Sequence, residues 1–124
     1  MIDFALPPRC VVTGERVDRQ GTVSSAVWKD LNFIARPFCE ICGFPFEYEV
    51  EPGVLCASCI AETPLFRTAR SVFRYDDGSR DLILKFKHAD CTHAVEVFLP
   101  WLRNAGGALL EAAACLIPVP LHRW

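Results

Sequence analysis

The chain has 124 residues, enough for one medium domain or two very small ones. Its 13 Lys and Arg against 15 Asp and Glu give a formal net charge of −2, which excludes a strongly basic nucleic-acid coat protein. At 52% hydrophobic and 23% charged it is not disordered as a whole, and charged residues interrupt the apolar stretches too often for a membrane-spanning helix. The opening Met1-Ile2-Asp3-Phe4 has neither a basic n-region nor an apolar h-region, so the cytoplasm is the expected location.

Residues 1 to about 22 read as an irregular leader with Pro7-Pro8 and a turn around Gly14. Within it, Cys10-Val11-Val12-Thr13-Gly14 has the outline of a metal-binding knuckle, with Thr13 where a second thiol belongs. Fourteen residues after Cys10, Ser24 and Val27 stand where another C-x2-C would be. One thiolate does not hold a metal, so Cys10 is expected to be a remnant of a lost zinc site or an ordinary loop cysteine. Ser24 or Ser25 is a candidate N-cap for a short helix through Trp28 and Leu31, ended before Pro37.

The strongest signal follows. Cys39-Glu40-Ile41-Cys42-Gly43 and Cys56-Ala57-Ser58-Cys59 are two C-x2-C pairs with thirteen residues between them. Two residues between cysteines let both sulfurs point into one turn, and Gly43 can take the positive φ that such a turn commonly requires. Two facing knuckles give tetrahedral S4 coordination, which selects zinc, or less often iron, over hard cations. A disulfide framework is disfavoured by the odd total of seven cysteines, and a thioredoxin-like redox motif needs only one pair. One structural zinc held by Cys39, Cys42, Cys56 and Cys59 is therefore expected. Residues 44–55 alternate apolar and acidic side chains before Pro52-Gly53, as in a short hairpin or extended loop. Ala57 to Glu62 is expected as a helical turn stopped by Pro64.

The composition changes near Thr63 to Thr68. Ser71 to Tyr75 reads as a strand, Asp77-Gly78 as a turn, and Ser79 to Ala89 as a helix with Leu82, Ile83 and Phe86 on one face. A helix over Thr92 to Asn104, a break at Gly106-Gly107, a second helix over Ala108 to Ala114 and a buried strand at Leu116 to Pro120 complete the pattern. Pro100 counts against continuity in the first of these helices.

Taken in order, these landmarks resemble the amino-terminal half of the ComF family: Leu6-Pro7-Pro8-Arg9-Cys10, Trp28 to Ile34, Pro37 to Phe46, Leu55 to Cys59, Arg70 to Tyr75, Phe86-Lys87-His88 and Ile117 to Arg123. The resemblance implies a double zinc ribbon ahead of a type I phosphoribosyltransferase domain, and a role in competence and DNA uptake. The expected fold class is then α+β: residues 1–66 as a double ribbon with its first copy degenerate, and residues 67–124 as the truncated start of the transferase α/β domain. Asp76-Asp77-Gly78-Ser79 is the nearest match to the family's acidic pair and phosphate loop, and the Thr/Gly-rich loop itself is lacking. No transferase activity is expected from this chain alone.

Two rival readings stay open: a split transferase completed by another chain, and a zinc-dependent adaptor for a protein of the DNA-uptake machinery or for single-stranded DNA. The basic run of Arg67, Arg70, Arg74, Arg80, Lys85 and Lys87 among aromatic residues carries the nucleic-acid option, against a solvated helix face. His88, Asp90, Cys91 and His93 are spaced too tightly for one tetrahedral site and read as a polar loop. Cys115 is expected in the core. Residues 36–62 should hold their shape through the metal, and residues 69–124 should be the softer part.

Overall fold

Residues 7–88 and 94–119 are described by the computed structural model. Four helices follow one another along the chain: α1 (Ser25–Asp30), α2 (Ala57–Ala61), α3 (Asp77–His88) and α4 (Val95–Ala112). The α+β expectation holds only in its ribbon. Among the described residues, β pairing is limited to the isolated antiparallel bridges Arg9 with Arg16, Phe38 with Pro45 and Phe33 with Phe73. No sheet of the phosphoribosyltransferase kind forms there.

The strand expected at Ser71 to Tyr75 is reduced to the last of these bridges. The Ile34 amide donates to the Val72 carbonyl and the Arg74 amide to the Asn32 carbonyl, both at 2.9 Å. That short pairing joins the first half of the chain to the second. Just beyond it, Asp76 starts α3 in place of the expected turn at Asp77-Gly78. The Ser79 amide donates to Asp76 Oδ1 (3.1 Å) and the Asp76 amide to Ser79 Oγ (3.0 Å), a reciprocal cap that satisfies two end groups at once. The Asn32 amide hydrogen bond to Asp76 Oδ2 (2.7 Å) favours the charged carboxylate, and its pKa is lowered. Ser79 itself is fully buried and its hydroxyl donates a hydrogen bond to the Arg74 carbonyl at 2.7 Å. Here α1 and α3 meet so closely that a Cβ on Gly78 would lie 2.0 Å from the Asp30 carbonyl oxygen.

The main core lies between the first ribbon and the two long helices. Cys10, Val27, Leu31 and Leu82 are buried together, with Val11, Val12, Val17, Val23, Phe73, Phe98 and Trp101 packed around them. Trp101 is the hub of the aromatic contacts, with ring centroids 5.8 Å from Trp28, 5.3 Å from Phe33, 6.1 Å from Phe73 and 5.9 Å from Phe98. Three of the four are edge-on at about 83°, the arrangement that ring quadrupoles favour.

Two expectations for the C-terminal region are overturned. Instead of two helices broken at Gly106-Gly107, α4 runs unbroken from Val95 to Ala112, through Pro100 and both glycines. Pro100 leaves the Glu96 carbonyl without its helical donor and costs about 3 kcal/mol, and each glycine about 1 kcal/mol. Burial of Ala94 and Val97, with partial burial of Phe98 and Trp101 along the same face, opposes that cost; full burial of a large side chain contributes about 1.5–3 kcal/mol. The buried strand expected at Leu116 to Pro120 is not formed in residues 116–119. Leu116, Ile117 and Val119 are 75%, 85% and 91% exposed, and none of them takes part in the β bridges formed among the described residues. Cys115 is likewise exposed rather than part of the core. Residues 89–93 and 120–124, with most of the His88–His93 loop and the His122-Arg123 end, lie outside the described residues.

Trp101→Ala is expected to destabilise the protein by about 3–5 kcal/mol, as for a large aromatic deleted from a core. Gly78→Ala is expected to cost about 1–3 kcal/mol or more by forcing α1 and α3 apart. Urea unfolding curves of the zinc-loaded variants check both.

Candidate metal centre

Each half of the centre is built by a different local device. Cys39 opens a tight turn in which the Gly43 amide donates to the Cys39 carbonyl (2.9 Å) and the Cys39 amide to the Phe44 carbonyl (2.8 Å). Gly43 sits at φ +74°, and a Cβ there would lie 2.9 Å from the Ala69 carbonyl oxygen. Glycine thus serves both the turn and the close approach of the following chain. Cys56 stands at the N-cap of α2 and Cys59 lies within that helix, whose first bond runs from the Ile60 amide to the Cys56 carbonyl at 3.1 Å. A bond from the Glu40 amide to the Val54 carbonyl (3.3 Å) draws the two halves together.

The four sulfurs converge. Sγ atoms of Cys39, Cys42, Cys56 and Cys59 all lie within 4.8 Å of one another, and Cys42 Sγ is 3.5 Å from Cys56 Sγ. A tetrahedron with Zn–S bonds of about 2.3 Å has sulfurs about 3.8 Å apart, so the thiols need only small shifts to hold a zinc ion. Cys39, Cys56 and Cys59 are buried and Cys42 is half-buried. No other group of three or more metal-ligating side chains forms among the described residues.

Electrostatics agree with that reading. Burial disfavours a thiolate at Cys39, but the amides of Cys56, Cys42 and Ile41, with the Cys42 thiol, outweigh it and hold the pKa at about 6. Burial pushes the Cys59 thiol up to about 12, helped by hydrogen bonds that its own S–H donates to its three neighbours and by the charge on Cys39, and Cys42 is also raised by burial. Without a cation Cys39 favours the thiolate while Cys42 and Cys59 resist it. A divalent ion removes that conflict and releases the remaining protons.

Around the cluster lies a charged brace that sequence reasoning placed elsewhere. Arg70, counted in the basic run, donates to the Glu40 carbonyl and to Glu40 Oε2, both at 3.1 Å, and its guanidinium sits 4.6 Å from the Phe38 ring centre. Arg36 covers the same ring at 4.7 Å and pairs with Glu40 Oε1 at 2.9 Å. The Arg36 hydrogen bond is the main reason that the Glu40 carboxyl is held below its usual range. Lys85, also from the basic run, donates to the Val12 carbonyl. Two of its six cations are therefore engaged in holding the fold. The only forewarning in the sequence was an acidic residue inside the knuckle with an arginine at its aromatic flank.

The first ribbon repeats the turn that opens the second. The Gly14 amide donates to the Cys10 carbonyl (2.9 Å), the Cys10 amide to the Glu15 carbonyl (2.8 Å) and the Val17 amide to the Pro8 carbonyl (3.0 Å). The equivalents 29 residues later are Gly43 to Cys39, Cys39 to Phe44 and Phe46 to Pro37, at 2.9, 2.8 and 2.9 Å. Gly14 has φ +73°, the Arg9–Arg16 bridge matches Phe38–Pro45, and Ser24 precedes α1 as Cys56 precedes α2. Cys10, Thr13, Ser24 and Val27 thus stand in the four ligand places. Ser24 occupies the N-cap position, yet its hydroxyl makes no capping bond and is buried without a partner. Cys10, expected as a remnant of a lost zinc site or an ordinary loop cysteine, stands in a ligand place of the first ribbon and is 2% exposed in the core. Burial works against its thiolate, but the Thr13 hydroxyl and the amides of Thr13, Ser24 and Val12 bring its pKa down to about 7.

The double zinc ribbon domain family matches residues 1–60 of the chain. That segment is a double zinc ribbon. No curated protein and no solved structure matches the chain.

Metal analysis of the purified chain is expected to find one zinc, lost in Cys42→Ser. The triple variant Thr13→Cys, Ser24→Cys, Val27→Cys is expected to bind two, because the backbone of the second site is already in place; a value of one would show that the first ribbon cannot close on a metal. Chelation of the native chain should disturb residues 36–62 while leaving the near-ultraviolet dichroism of Trp28 and Trp101 largely intact.

Proposed function

We propose that this is a ComF-like protein whose ribbon module is a zinc-clamped structural platform, with residues 1–66 as the ribbons and residues 67–124 as a phosphoribosyltransferase-like region. The observation that carries the reading is the convergence of four cysteine sulfurs at ribbon spacing. The match to the double zinc ribbon domain supports it, as does the order of ComF-like landmarks on either side. Within that family setting the role would be in competence and DNA uptake.

The chain alone is expected to be inactive as a transferase. A phosphate site needs an open nest of backbone amides, usually with cations nearby. At Asp76-Asp77-Gly78-Ser79 the groups are otherwise engaged: Asp76 accepts from Asn32 and Ser79, and Gly78 lies against the Asp30 carbonyl. A second reading, as an adaptor, is favoured by one feature. Leu99, Leu102, Leu109 and Leu110 on α4, with Leu116, Ile117 and Val119 beyond it, present apolar side chains to solvent, as a surface awaiting a protein partner would.

The zinc-loaded chain, incubated with phosphoribosyl pyrophosphate and each common nucleobase, is expected to release no pyrophosphate above the background of the Cys42→Ser variant. Turnover by the chain alone would overturn the inactive reading, and an absence of bound zinc would overturn the platform.

A further inference from the structure

A cleft of about 1150 Å³ opens between the loop 15–25 of the first ribbon and α4. It is as large as sites that hold small organic ligands. Its back wall is aromatic and rigid. Trp28, half of whose surface is exposed, stands against Trp101, which is held on its other sides by Phe33, Phe73 and Phe98, and Pro100 extends the same wall. The loop is pinned to α4 at Gly21, where a Cβ would lie 3.1 Å from both Cβ and the carbonyl oxygen of Glu96. Both walls are therefore fixed by packing that does not involve the zinc cluster.

The rim is cationic. Arg16, Arg19 and Lys29 line the cleft, and none of them belongs to an ion pair among the described residues. Facing them are Asp18 and Glu15, and Glu15 already accepts from the Thr13 hydroxyl at 3.0 Å. Arg16, Arg19 and Lys29 against Glu15 and Asp18 leave the lining with one positive charge in excess, beside an exposed tryptophan, in a chain whose net charge is −2. Stacking on tryptophan suits a planar ring, and guanidinium groups suit a carboxylate or phosphate through paired N–H donors.

We propose that this cleft binds a small aromatic anion, with its ring on the Trp28–Trp101–Pro100 wall and its acidic group among Arg16, Arg19 and Lys29. The site lies on the first ribbon, apart from the four zinc-binding cysteines, and gives the metal-free copy a task of its own.

The test is a titration of the zinc-loaded, ¹⁵N-labelled chain, read at the indole N–H signals of Trp28 and Trp101. AMP supplies a ring with a phosphate and salicylate a ring with a carboxylate; adenosine and inorganic phosphate supply each part alone. A saturable shift of the Trp28 signal with AMP or salicylate is expected, the tighter of the two naming the acidic group, and adenosine and phosphate should each bind about tenfold more weakly than AMP. The paired change Arg16→Gln and Arg19→Gln should weaken binding by about tenfold or more, while Arg103→Gln, outside the cleft, should not. No saturable shift up to about 10 mM, equal affinity for phosphate alone, or an unchanged affinity in the Arg16/Arg19 variant would overturn the proposal.

Discussion

The centre of residues 36–62 is held by metal–thiolate bonding more than by oil. Its buried cluster consists of Cys39, Cys56 and Cys59, with only Ile41, Cys42, Phe46 and Leu55 packed around them. Segments of this size bury too little apolar surface to offset the entropy of ordering their chain. A structural zinc site supplies an apparent 10–16 kcal/mol at neutral pH, which exceeds the whole net stability of many domains. The surrounding turns, the Gly43 conformation and the Arg36–Phe38–Arg70 stack orient the sulfurs; the ion decides whether that orientation persists.

The first ribbon solves the same geometric problem by another route. Its turn keeps the hydrogen bonds, the positive-φ glycine and the following helix of the second copy. Where the second copy gathers four sulfurs, the first has Cys10 and Val27 packed with Leu31 and Leu82, and α3 and α4 close over them. Apolar burial has taken the place of coordination. The two copies therefore draw on different physical resources: one depends on metal supply and thiol reduction, the other on the long helices packed against it.

How far the sequence could be read follows from that contrast. The zinc ligands were legible because coordination demands fixed residue types at short fixed spacing, and nothing distant alters the demand. The helices α1 and α2 were legible for the same local reason, although the hydroxyl of Ser24 turned out not to cap. Periodicity also located α3, but its start was read as a turn at Asp77-Gly78, although the capping pair Asp76 and Ser79 is local; only the Asn32 bond to Asp76, from 44 residues away, lay beyond local reading. α4 was misread because Pro100, Gly106 and Gly107 are weak local signals, overridden by the burial of Val97 and Trp101 against elements distant in sequence. Leu116 to Val119 carry strand-forming side chains, and side chains alone do not supply a neighbouring edge. Arg70 was hidden in a list of charges until the fold brought it onto Phe38 and Glu40.

The internal repetition, offset by 29 residues at the first knuckle and 32 at the second, has one more consequence, for how substitutions accumulate. In the second copy, any replacement at a cysteine removes a ligand that no neighbour can supply, so drift at those four positions is forbidden. In the first copy the corresponding places are filled by a thiol, two hydroxyls and a valine. Thr13 is exposed, and Cys10, Ser24 and Val27 form an ordinary small-residue interior, open to alanine, serine, threonine or valine so long as volume is kept. Closely related sequences should therefore vary freely at 13, 24 and 27 while remaining frozen at 39, 42, 56 and 59, with both glycines at 14 and 43 retained for the turn they share.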